Sequence, residues 1–77
     1  MKNWFVTWDR EEYKEWAAPI SGGYLLLIVR KEKGRHLCVK AKLKMGTKGL
    51  PSVSIIEEVY LPTTEEASRQ ISNWKKK

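Results

Sequence analysis

Period-two alternation opens the chain: Trp4, Val6 and Trp8 recur at every second position of residues 2–8, which predicts a short strand. Asp9 then stands three residues before Glu12 in the form of a helix capping box, and Tyr13, Trp16 and Ala17 follow at helical spacing, with Pro19 as the stop. Residues 4–17 therefore read as a strand and a short helix. One helix over 4–17 is the competing reading, because Phe5, Trp8, Trp16 and Ile20 also approximate a 3.6-residue period. Ser21-Gly22-Gly23 breaks the pattern. Residues 24–32 and 35–45 form the plainest feature of the chain. They are two arms rich in Val, Ile and Leu around Lys33-Gly34, where Gly34 can take the positive φ of a tight hairpin turn. Residues 46–52 read as a loop on their two glycines and proline, and 53–61 as a further strand between Pro51 and Pro62. Thr63-Thr64-Glu65-Glu66 is a second capping box, after which Ala67, Ile71 and Trp74 share one face of a helix over 64–75. Acids at its start and Lys75-Lys76-Lys77 at its end suit the helix dipole.

These elements predict an α+β fold: a small antiparallel sheet of three to four strands, a C-terminal helix packed on one face, and a short N-terminal helix capping an end or edge. Ile71 and Trp74 are the expected anchors of the C-terminal helix. With a two-residue turn at Lys33-Gly34, Glu32 faces Arg35, Lys31 faces His36 and Leu27 faces Lys40. Leu37, Val39, Ala41, Leu43 and Met45 then share a face with Tyr24, Leu26 and Ile28, the expected core face. The other face carries His36, Cys38, Lys40, Lys42 and Lys44 between Leu25, Leu27, Val29 and Lys31. A one-residue slip would drive lysines into the core, so the facing of residues 35–45 is fixed.

Charge sharpens this picture. The chain has 15 basic and 9 acidic residues among 77, a net charge of +6, and reads as one compact domain over 1–77. Residues 1–20 carry 3 basic and 4 acidic groups, residues 21–51 carry 8 and 1, and residues 52–77 carry 4 and 4. The whole excess falls in the middle third, as an anion-binding surface would require. Lys40, Lys42 and Lys44 span about 13 Å at roughly 3.3 Å per residue, the reach of two or three phosphates on one strand. Lysines on a solvent face also blunt edge strands, and their stems can cover Leu25 and Leu27, so the charge alone does not decide between the roles. Trp4, Trp8, Trp16 and Trp74 with Phe5, Tyr13, Tyr24 and Tyr60 are large side chains for a thin core; any left outside could stack on bases or dock a partner.

Other chemistries are poorly supported. The longest uncharged apolar run, 24–29, is far short of a membrane span, and the N-terminus lacks the pattern of a signal peptide. One cysteine, Cys38, permits no internal disulfide and points to the reducing cytoplasm. His36 and Cys38 share a strand face, yet one His and one Cys fall short of a structural zinc site, and no cofactor signature occurs. Glu57 and Glu58, adjacent on a strand, point to opposite faces and cannot act as a carboxylate pair. Gly46-Thr47-Lys48-Gly49 has the Gly-x-x-Gly form of the KH-domain clamp, but joins strands rather than helices; it leaves Lys48 as a phosphate contact.

Over residues 24–75, the order of three strands followed by a Thr-Thr-Glu-Glu-Ala helix is similar to the sheet-plus-helix DNA-binding domains of tyrosine recombinases. The resemblance is one of element order without a specific motif. It implies a sheet that enters the major groove while the helix braces its back. The double-stranded RNA-binding domain is similar in order too, but Glu65-Glu66 stands where that family has a basic helix start.

The function expected is non-enzymatic nucleic-acid binding, DNA rather than RNA, through Arg30, Lys31, Lys33, Arg35, Lys40, Lys42, Lys44 and Lys48. The lysines would meet phosphates and the arginines base edges. The alternative is a small adaptor or inhibitor that docks an acidic protein through Trp4, Trp8 or Trp16. No membrane partner is expected, and an uncovered edge strand leaves a homodimer open.

Overall fold

The computed structural model describes residues 3–46 and 48–76. Five strands, β1 (Phe5–Arg10), β2 (Tyr13–Ile20), β3 (Gly23–Glu32), β4 (Arg35–Met45) and β5 (Pro51–Leu61), precede one helix, α1 (Thr64–Lys75). The strands form one antiparallel sheet in the order β1-β2-β3-β4-β5.

The central hairpin has the expected register, with Glu32 opposite Arg35, Lys31 opposite His36 and Leu27 opposite Lys40. Lys33 (φ 44°) and Gly34 (φ 79°) are both left-handed, the requirement of a type I′ turn, whose twist matches that of the strands it joins. Gly23 serves close approach: a Cβ there would collide with the Leu43 carbonyl. In the loop after β4, the Gly46 N–H donates to the Leu50 carbonyl (2.7 Å) and the Gly49 N–H to that of Gly46 (3.0 Å).

The expected N-terminal helix is a strand. β2 pairs with β1 on one side and β3 on the other, which makes five strands rather than three to four. Asp9 lies in β1 and Glu12 in a two-residue hairpin turn, not in a helix cap, since Arg10 pairs with Tyr13. The helical spacing of Tyr13, Trp16 and Ala17 loses to the period-two set Trp16, Ala18 and Ile20, which lies beside Leu27, Leu25 and Gly23 of β3. Pro19 does not end the segment. It lies past Phe5↔Ala17, the last β1 pair, so its missing N–H leaves no ladder bond unmade on that side.

The helix forms as its sequence pattern predicts. The Thr63 hydroxyl accepts from the Glu66 N–H at 3.1 Å, and Ala67, Ile71 and Trp74 are buried. The face it covers is not the expected one. These three side chains pack on Leu27 and Cys38, with Trp4, Trp16, Val29, Val59 and Leu61 around them. Leu37, Val39 and Ala41, with Leu26 and Ile28, form a second cluster on the opposite face. No element covers that face among the described residues.

Candidate nucleic-acid interface

Helix length decides where the lysines stand. The 12 residues of α1 extend about 18 Å, at about 1.5 Å per residue. The 11 residues of β4 extend roughly 36 Å. The helix therefore covers only half of the face it lies on. The Thr64 hydroxyl and His36 Nε2 meet at 3.2 Å at one end of α1. At the other end Trp74 Nε1 donates to Glu57 Oε2 (3.1 Å), and Trp4 Nε1 to the Lys75 carbonyl (3.3 Å). Lys75 Nζ lies 4.4 Å from the centre of the Trp16 ring, and burial pulls its pKa down.

Beyond that end lies a helix-free shelf. Lys40, Lys42 and Lys44 line a cleft of about 510 Å³ with Ile20, Ser21, Leu25 and Ile56. Ile56 reaches this face through a bulge in β5, where Lys40 faces Glu57 but Ala41 faces Ile55. Lys40 and Lys42 are half-buried and Lys44 is exposed, the burial expected of lysines whose aliphatic stems cover apolar surface while the charged heads keep to water. No carboxylate lines the cleft. Among the described residues the one ion pair is Arg30–Glu32 at 3.8 Å, elsewhere on the sheet.

The other expected contacts are dispersed. Lys31 is on the helix face at the far end, lining a groove of about 400 Å³ between α1 and the sheet that also holds Glu11, Glu12 and His36. Lys33 is in the β3–β4 turn, and Lys48 is exposed in the loop after β4. Arg30 and Arg35 are on the opposite, helix-free face. Arg30 lies beside Tyr13, and the Arg35 guanidinium sits 4.1 Å over the Tyr60 ring. The three β4 lysines stay together while the arginines expected to flank them stand across the sheet.

The face opposite the helix is the feature sequence reasoning missed as a surface. Tyr13, Ile28, Arg30, Leu37, Val39, Ala41, Val53, Ile55 and Glu58 line a shallow concavity of about 240 Å³ on it. Phe5 meets Tyr24 edge-to-face at 6.3 Å, and Arg10 lies 5.6 Å over the Trp8 ring. The Tyr13 hydroxyl donates to Glu15 Oε1 at 2.7 Å. Its pKa is pushed up to about 12, first by burial, then by that hydrogen bond and the Glu15 charge, against a smaller opposing effect of Arg30. Val6, at alternate spacing with Trp4 and Trp8, gave no warning that a bulge before Trp8 turns that ring onto this face.

Cys38 is fully buried beneath α1, and burial pushes its thiol pKa up, the reverse of what a reactive thiolate needs. Among the described residues no cluster of three or more His, Cys, Asp or Glu side chains could hold a metal ion, and no helix is long and apolar enough to cross a membrane. Comparison with protein-family models, curated proteins and solved structures returns no match.

Proposed function

We propose that the chain is a non-enzymatic nucleic-acid-binding module, DNA preferred over RNA, that works in the cytoplasm and grips phosphates with Lys40, Lys42 and Lys44. The observation that carries this reading is a cleft lined by three lysines and no carboxylate. The lysines are at alternate positions of one strand, which holds their ammonium groups on one side of a rigid ladder rather than on a mobile loop. Lys48, on the loop that follows β4, would extend the track. Arg30, Arg35, Lys31 and Lys33 lie off it. The geometry thus differs from the recombinase-like arrangement, in which the helix-free face meets DNA: here the lysine track shares its face with the helix.

Fluorescence anisotropy with labelled duplex DNA, single-stranded DNA and duplex RNA tests the reading. Three phosphate contacts predict a loss of about fortyfold in duplex affinity between about 50 and 200 mM salt. Lys40/Lys42/Lys44→Glu, folded by circular dichroism, should abolish binding, while Arg30/Arg35→Gln should leave it unchanged. Absence of binding to all three probes at the lower salt would remove the proposal.

A second reading, a protein-binding adaptor or inhibitor anchored by N-terminal tryptophans, draws support from Trp8. Trp8 is 51% exposed, whereas Trp4 and Trp16 pack against the core under α1.

A further inference from the structure

The helix-free face has its own composition. By register it carries Arg10, Arg30 and Arg35 and, against them, Glu15, Glu32 and Glu58, a net charge of zero in a chain of net charge +6. All six lie toward one end of the strands. Among the described strand residues the other end, from Leu26, Ala41 and Ile55 outward, holds no charge. There Tyr24, Met45, Val53 and Ile55 are 42%, 61%, 60% and 61% exposed around the half-buried Leu26 and Leu43. A contiguous apolar patch of this kind is rare on a monomer surface and marks an interaction site.

From these observations we propose that the face is covered by a second copy of this chain, the two sheets packed face to face with the helices outside. Balanced charge is the first argument. A polyanion gains nothing from a neutral face, whereas three arginines and three glutamates can pair across a two-fold axis, where one patch must complement itself. Size is the second. Five strands of 6, 8, 10, 11 and 11 residues, at about 3.3 Å of rise per residue and about 4.8 Å of width per strand, give about 730 Å² before side-chain relief. That is close to the roughly 800 Å² each partner contributes to a stable interface. The layout is the third: an uncharged apolar patch with charges displaced to one side matches the core and rim of such interfaces.

Pairing through a sheet edge is the less suitable route. Both edge strands are bulged, β1 between Val6 and Trp8 and β5 at Ile56, and β5 carries Glu57 and Glu58 in its middle, devices that blunt edges against pairing. The face-to-face dimer does not depend on nucleic-acid binding, since the lysine cleft lies on the outer surface of each copy.

Sedimentation equilibrium over a range of protein concentrations tests the proposal. The wild-type chain should be dimeric. Val53/Ile55→Glu, which alters two exposed side chains but no backbone donor or acceptor, should weaken the dimer by at least about a hundredfold. Should that variant misfold by circular dichroism, Met45→Lys provides the same readout from the end of β4. Leu50→Glu, in the loop and 72% exposed, should leave the dimer unchanged. A monomeric wild-type chain overturns the inference. So does a dimer that survives charges placed in the apolar patch, because an edge-paired sheet would tolerate them. Retention of DNA binding by a monomeric Val53/Ile55→Glu variant would separate the dimer interface from the lysine cleft.

Discussion

Trp74 joins the helix to the sheet in two ways. The residue is 3% exposed, packed on Leu27 and Cys38, and its Nε1 donates to Glu57 on the edge strand. Trp74→Ala should cost about 3–5 kcal/mol, a large share of the stability of so small a domain. Trp74→Phe keeps most of the ring but removes the donor to Glu57, an exposed residue whose carboxylate water can then solvate, and should cost about 1 kcal/mol from the lost hydrogen bond beyond the loss in packing. Urea denaturation of both variants measures the difference; a fully stable Trp74→Ala protein would contradict this packing. Trp74 was legible because Ala67, Ile71 and Trp74 fit one helical face and no other period. The role of Lys40 was half legible. Alternation with Val39 and Ala41 fixed which residues share its face, but no residue states what covers that face.

The β3–β4 hairpin was legible to the residue because Lys33-Gly34 admits one tight turn, and a one-residue slip would bury lysines. The β1–β2 hairpin was not. Glu11-Glu12 carries none of the glycine or asparagine that signals a two-residue turn, and Asp9 with Glu12 imitates a helix cap. Its turn is held by its surroundings, among them the Glu12 carbonyl, which accepts from the Lys31 N–H at 3.0 Å. The central turn itself is not optimal, since Lys33 is a non-glycine residue at φ 44°. Lys33→Asn should relieve that strain and stabilise the protein by about 0.5 kcal/mol, visible as a rise of about 2–4 °C in Tm. An unchanged or lower melting temperature would argue against a left-handed Lys33.

The whole molecule is organised by a mismatch of lengths. A sheet with strands of 10 and 11 residues is served by a helix half as long, so both faces keep exposed surface of different character: lysines beside the helix end, apolar side chains behind. The sequence contains both stripes, but the choice between them depends on where a helix docks, a long-range event that local periodicity does not encode. The strand order carries a further consequence, for the speed of folding. Each strand pairs with the strand next to it in the chain, so every rung of the sheet closes a hairpin rather than a long loop. The helix contacts with β3 and β4, and the Trp4–Lys75 hydrogen bond, are what must wait for distant segments to meet. The β3–β4 hairpin should therefore zip first and spread outward, and the helix should dock last, with the main phase complete within milliseconds. Stopped-flow refolding can resolve that order, because Cys38 becomes inaccessible to thiol reagents only when α1 closes over it. Sheet formation that lags behind Cys38 protection would reverse the sequence of events.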